Sequence, residues 1–254
     1  MLVRSRLILL VAVVLAIIAV PEVTRRITRW YAIASVERVA LPPLERIVPA
    51  RRTHVPSSLN PSPLLKESVN MPVPFIVQAP LQQWDAFHEE ACEEASILMV
   101  LAYFGARSVG DAPMAHDAAL QSLIRRATEL GYPVDLTAEQ AALLLRDQDP
   151  SLRVAVLHRP TVDQLQSALS AGSLVVVPAA GRMLNNPYFR QPGPLYHMLV
   201  VRGYTHDGYA ITNDPGTRRG EAFVYRWEIL LGATHDWNNG DPEHGESVVI
   251  VVGR

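Results

Sequence analysis

Apolar and polar positions along this chain change their spacing twice, and each change marks a new kind of segment. Leu7 to Val20 is an unbroken apolar run of fourteen residues, with Arg4 and Arg6 before it and Pro21, Glu22, Arg25 and Arg26 after it. From Ala40 to Pro74 periodicity almost vanishes and eight prolines occur. Beyond Met71 helical spacing takes over. Ala95, Leu98, Met99 and Ala102 fall at i, i+3, i+4 and i+7, which predicts a helix over about 93–104. Two more helices are expected near 112–130 and 137–147, the second opened by Thr137 with Glu139 and Gln140 just inside. Thr161 caps a further helical segment to Ala171, which Gly172 ends. Ser173 to Ala179 is a continuous apolar run, as the centre of a buried sheet requires. Tyr196–Tyr204 and Tyr209–Pro215 flank Asp207-Gly208 and predict a hairpin, and Glu246–Val252 supplies a last strand. The coarse order is helix, helix, helix, strand, helix, strand and hairpin, which predicts an α+β fold with a helical half packed on an antiparallel sheet.

The two segments before this head set where it is expected to work. A signal h-region has about 7–15 apolar residues and a spanning helix about 20. The run at 7–20 is signal-like in length, and Val3 and Val23 extend it to a short anchor. No small-x-small cleavage site directly follows it, so residues 1–24 read as an uncleaved signal anchor, a single N-terminal membrane helix. The expected location is therefore membrane-anchored and extracytoplasmic, or secreted if the segment is cleaved. Arg25, Arg26 and Arg29 rival the positive charge ahead of the run, which leaves the orientation open. Residues 25–70 read as a Pro-rich linker, and 71–254 are enough for one domain with its own core.

Candidate chemistry begins with Cys92, which has no second cysteine to pair with. It stands where the 93–104 helix is expected to start. Unpaired N–H groups and the positive end of the macrodipole there favour the nucleophilic thiolate over a thiol of pKa about 8.5. Glu90, Glu93 and Glu94 would oppose this if they faced the sulfur. The competing reading is a buried structural cysteine.

A cysteine nucleophile needs an imidazole within reach and a third group to orient the ring. His197 and Asp214, on the two strands of the hairpin, are candidates. A four-residue loop, Tyr204 to Asp207, sets 197 opposite 214. A five-residue loop sets 197 opposite 215 and turns Asp214 to the other face unless a bulge restores it. Pro215 holds Asp214 in an extended conformation. The competing reading is a strand-end histidine and a turn-forming Asp-Pro pair.

Taken together, Val73–Pro80, the Cys92 helix start, His197–Tyr204 and Asn213–Gly216 resemble the C39-like cysteine peptidases, a branch of the papain-like fold, over about residues 71–240. The resemblance implies Cys92 as nucleophile, His197 as general base and acid, and Asp214 as the orienting group. It also implies that the side-chain amide of Gln78 joins the Cys92 backbone N–H in an oxyanion hole, with Gln82 and Gln83 as competitors for that place. The chain departs from many relatives in carrying Glu93 where they have glycine.

The expected activity is peptide-bond hydrolysis through an acyl-enzyme, by a membrane-tethered cysteine peptidase acting on a peptide or protein substrate. The alternatives are a catalytically silent module that binds peptides, and a thiol acyltransferase or transglutaminase-type enzyme. No cofactor is called for. His88 and Cys92 are four apart but lack further ligands in a zinc pattern. No G-x-S-x-G elbow or P-loop occurs, and 23 basic against 25 acidic side chains give no sign of nucleic-acid binding. Trp84, Trp227 and Trp237 are candidates for a substrate groove or for the core.

Overall fold

Residues 39–47 and 65–254, with seven positions between 24 and 34, are described by the structure, a computed structural model. The expected membrane segment falls almost wholly outside them, as does 48–64 of the linker. Among the described residues no helix is long and apolar enough to cross a membrane. The chain divides into two units, Met1–Val39 and Ala40–Arg254. In the first, the described positions from Thr24 to Ala34 are helical, and Thr28 Oγ1 donates to the Thr24 carbonyl at 2.8 Å.

In the second unit helix α1 runs from Cys92 to Tyr103. Every residue from Cys92 to Leu101 is buried, so protein surrounds this helix on all sides. Its sequence carries apolar residues around the whole circumference, as a central helix requires. Helix α2 spans Pro113–Glu129 with proline in its first turn. Helix α3, Ala138–Gln148, opens with the expected capping box: the Gln140 N–H donates to Thr137 Oγ1 at 3.3 Å, and the Thr137 N–H donates to Gln140 Oε1 at 3.0 Å. Thr161 and Gln164 repeat the device at α4, Val162–Ser170.

Among the described residues seven strands form one antiparallel sheet: β1 Val69–Asn70, β2 Arg153–His158, β3 Leu174–Ala180, β4 Tyr196–Tyr204, β5 Tyr209–Asn213, β6 Phe223–Arg226 and β7 Val248–Gly253. Six lie in the order β2-β7-β3-β4-β5-β6, and β1 pairs with β4. Strands β3 and β4 are buried at every position. The architecture is α+β with an antiparallel sheet, as the pattern predicts. Ser96 Oγ, donating to the Met198 carbonyl at 3.0 Å, ties α1 to β4. Between β5 and β7 lie β6 and a short helix α5, Trp227–Ala233, in a stretch for which periodicity predicts nothing. Elements of four and seven residues are too brief to show a period.

The hairpin differs from both expected registers. Tyr204 pairs with Ala210 and Gly203 with Ile211, and then the register shifts, so that Val201 pairs with Thr212 and Val200 with Asn213. Arg202 is the extra residue of this bulge. Extending the shifted register sets Leu199 opposite Asp214 and places His197 diagonally across on the same face. Without the bulge, Asp214 would lie opposite Val200 and point away from His197. At the bulge β1 also crosses close to β4. A Cβ on Gly203 would lie 2.0 Å from the Val69 carbonyl oxygen, so only glycine fits.

Part of the Pro-rich stretch belongs to this unit. The Glu45 N–H donates to the Asn70 carbonyl at 2.9 Å, and Asn70 Nδ2 donates to the Pro42 carbonyl at 2.8 Å. Lys66 Nζ meets Glu45 Oε2 at 2.9 Å, and Arg46 Nη2 donates to the Tyr103 carbonyl at 2.9 Å, the end of α1.

Candidate active site

Cys92 is the first residue of α1 and follows a 3-10 turn, His88–Glu90. The turn is pinned from two sides. His88 Nδ1 lies 2.7 Å from Asp85 Oδ1, and Nε2 lies 2.7 Å from Asp117 Oδ1 on α2. The carbonyls of His88 and Glu89 accept from Gln78 Nε2 at 2.8 and 3.0 Å. Gln78 is buried and its Oε1 has no hydrogen-bond partner. Gln82 and Gln83, its expected competitors, are both exposed. His88 is thus an anchor for the entry to α1. Among the described residues no group of three or more His, Cys, Asp or Glu side chains is arranged to hold a metal.

The Cys92 thiol is covered, at 4% relative exposure, and donates to Glu93 Oε2 at 3.0 Å. Burial first, then the Glu93 charge and its hydrogen bond, push the thiol well above its ordinary pKa, while a main-chain bond from Met198 pulls it down. This reverses the expectation from the helix terminus. The partial charge of a helix end contributes at most about 2 kcal/mol even in favourable, partly buried geometry, whereas desolvation and an adjacent acid both disfavour the anion. The neighbouring carboxyls are affected in the same direction. Glu93 is pushed well up by burial and by the neighbouring Glu94, and its Oε1 accepts the Leu136 N–H at 3.1 Å. Glu94 is pushed up to about 7 by burial, and its Oε2 has no partner.

On the sheet side, His197 Nε2 lies 2.8 Å from Asp214 Oδ1, both side chains being at most 1% exposed. Asp214 Oδ1 also accepts the Gly216 N–H at 3.0 Å, while Oδ2 accepts Tyr225 Oη–H at 2.6 Å and Asn186 Nδ2–H at 3.1 Å. Burial alone would raise this carboxyl, but the His197 charge, its hydrogen bond, Tyr225 and Gly216 outweigh it and hold Asp214 below the ordinary carboxylate range. Phe189 packs edge-on against the His197 ring with centroids 5.2 Å apart. Gly216 leaves room for the ring: a Cβ there would stand 2.8 Å from His197 Cε1.

The structure therefore joins His197 to Asp214 directly and brings the sulfur to Met198, the residue after His197. Asn186 and Tyr225, which complete the carboxylate's shell, escape sequence reasoning. One sits in a loop and the other in the short β6, with no motif around either. Of the tryptophans, Trp227 is buried, Trp237 packs on Tyr196 with centroids 5.4 Å apart, and Trp84 is exposed.

A model of the peptidase C39-like family matches residues 71–237. The chain belongs to the peptidase C39-like family. Its fold is similar to a solved structure from Bacillus anthracis named for likeness to C39 peptidases. The two superimpose with a TM-score of 0.50 at 17% sequence identity, covering 74% of this chain and 98% of that one. No curated protein matches. Family membership suggests a peptidase, hence a hydrolase with a peptide or protein substrate, and the family model covers Gln78, α1, the hairpin and Asp214.

Proposed function

We propose that this protein is a cysteine peptidase of papain-like architecture that cleaves peptide bonds through an acyl-enzyme on Cys92. The observation that carries the reading is the buried 2.8 Å bond from His197 Nε2 to Asp214 Oδ1, which orients the ring and leaves Nδ1 for the sulfur. In this proposal His197 takes the Cys92 proton, the thiolate attacks the substrate carbonyl, and His197 then protonates the leaving amine. Water releases the acyl group, with His197 as base. Gln78 and the Cys92 N–H serve the oxyanion. For this, Gln78 Nε2 exchanges one of its carbonyl partners, His88 or Glu89, for the substrate oxygen. Because the sulfur and ring are covered, substrate entry in this proposal requires the packing over them, which includes Phe189 against His197, to open. Residues 1–24 are proposed to anchor the protein in a membrane with the domain on the extracytoplasmic side.

Peptidase assays on a mixed peptide library test the reading. Cys92→Ala and His197→Ala are expected to abolish cleavage, with circular dichroism unchanged. Cleavage that survives Cys92→Ala overturns it. The covered sulfur favours a second reading, a silent peptide-binding module, which predicts peptide binding without cleavage in the wild-type chain. Aminolysis products on adding a primary amine would instead mark a transferase.

A further inference from the structure

The residue after the cysteine is a buried acid, and its place follows from packing. Helix α1 is enclosed on all sides, so the first-turn carboxyl of Glu93 cannot reach solvent. One oxygen, Oε1, is held by the Leu136 N–H at 3.1 Å. That leaves Oε2, which stands 3.0 Å from Cys92 Sγ and receives its hydrogen. The thiol's hydrogen bond therefore runs along the helix to Glu93 and not across to His197, whose Nε2 is already committed to Asp214.

We propose that Glu93 is the resting-state proton partner of Cys92, a latch that holds the S–H away from His197 until the cysteine side chain rotates toward the ring. The inference rests on the peptidase reading above. No atom is gained or lost in the release. The S–H···Oε2 bond breaks, an S–H···Nδ1 bond forms, and the proton then passes to His197 as the sulfur attacks. The groups that face this carboxyl are few: Cys92 and Glu94 from its own helix, the Leu136 N–H from the loop before α3, and Tyr196 from β4, whose hydroxyl donates to the Leu136 carbonyl at 2.9 Å and to Asp236 Oδ1 at 3.3 Å. No cation is among them. Burial first, then the Glu94 charge, oppose an anion at Glu93 and outweigh its hydrogen bonds from Cys92, Leu136 and its own N–H, and burial and Glu93 likewise oppose a thiolate beside it. Replacing the carboxyl by an amide of the same shape keeps the Leu136 bond, removes the competing acid and offers the sulfur an N–H donor.

The test is a pH titration of the Cys92 thiolate by its ultraviolet absorbance in full-length Glu93→Gln and wild type, each corrected with its own Cys92→Ala background, alongside alkylation by iodoacetamide. The thiolate of Glu93→Gln is expected to appear at least one pH unit lower, which is about a tenfold larger thiolate fraction at neutral pH. Peptidase activity should rise on its acid side by the same displacement. Coincident titration curves for the two proteins overturn the latch. If Glu93→Gln does not fold, infrared difference spectra of wild type against Cys92→Ala replace it: loss of the thiol must shift the Glu93 C=O band, and an unmoved band overturns the proposal. The titrations need no substrate, so the latch can fail while cleavage by Cys92 stands, and the loss of cleavage in Cys92→Ala is decided separately.

Discussion

Gln78 illustrates how one side chain can be read in two ways from the same motif. It lies before the cysteine where family resemblance expects an oxyanion donor, yet its amide nitrogen is directed at the His88 and Glu89 carbonyls. One placement is compatible with both roles, because the turn it braces leads directly into Cys92. If it also serves the oxyanion, Gln78→Ala should lower kcat by roughly 10²–10³, the usual effect of removing one such donor. Gln82→Ala and Gln83→Ala, at exposed positions, should leave kcat near wild type. Steady-state kinetics of the three variants check this, and a loss confined to Gln82→Ala or Gln83→Ala would reassign the donor. Cys92, His197 and Asp214 could be put forward as candidates from the sequence because their residue types and chain order are themselves the signal. Asn186 and Tyr225 could not, since a loop asparagine and a strand tyrosine look like any others until Asp214 is buried between them.

At the level of elements, the long amphipathic helices and the apolar strands could be placed from their periods, and Thr137 and Thr161 mark two helix starts because capping is a local interaction. The hairpin register could not. It depends on a bulge at Arg202, where Met71, the residue after β1, also joins β4 by donating its N–H to the Arg202 carbonyl, a contact made by residues over a hundred positions apart. The apolar run at 7–20 lies outside the described residues and carries the proposed location. Full-length protein expressed with its N-terminus intact is expected to sediment with membranes and resist extraction by high salt, and deletion of residues 1–24 should move it to the soluble fraction. Cell fractionation with immunoblotting measures both. Full-length protein found wholly in the soluble fraction would sink the anchor.

Over the whole molecule, the buried acids of α1 make stability depend on pH in a direction opposite to that of ordinary paired carboxylates. Glu94 has a folded pKa of about 7 against 4.5 for an unperturbed glutamate, so folding takes up a proton between those values. Its contribution is fully present below about pH 4.5 and is lost as pH rises through 7, a change on the order of 3 kcal/mol. Asp214 acts the other way: its stabilisation is present above its unfolded value of 3.8 and is lost as pH falls through its lowered folded value. Glu94→Gln should therefore be more stable than wild type at pH 8 and closely similar at pH 4.5, as measured by urea unfolding. Equal stabilities at pH 8 would show that Glu94 is ionised without penalty in the native state. What the sequence determined by itself was local or carried by residue type: helix and strand periods, caps, the lone thiol and the order of the motifs. The tertiary structure decided what depends on enclosure and long-range pairing. It fixed the face of the hairpin on which Asp214 meets His197, and it turned the thiol toward Glu93. Desolvation of that first turn then outweighed the helix end, because burial is a property of the packed molecule and no window of sequence contains it.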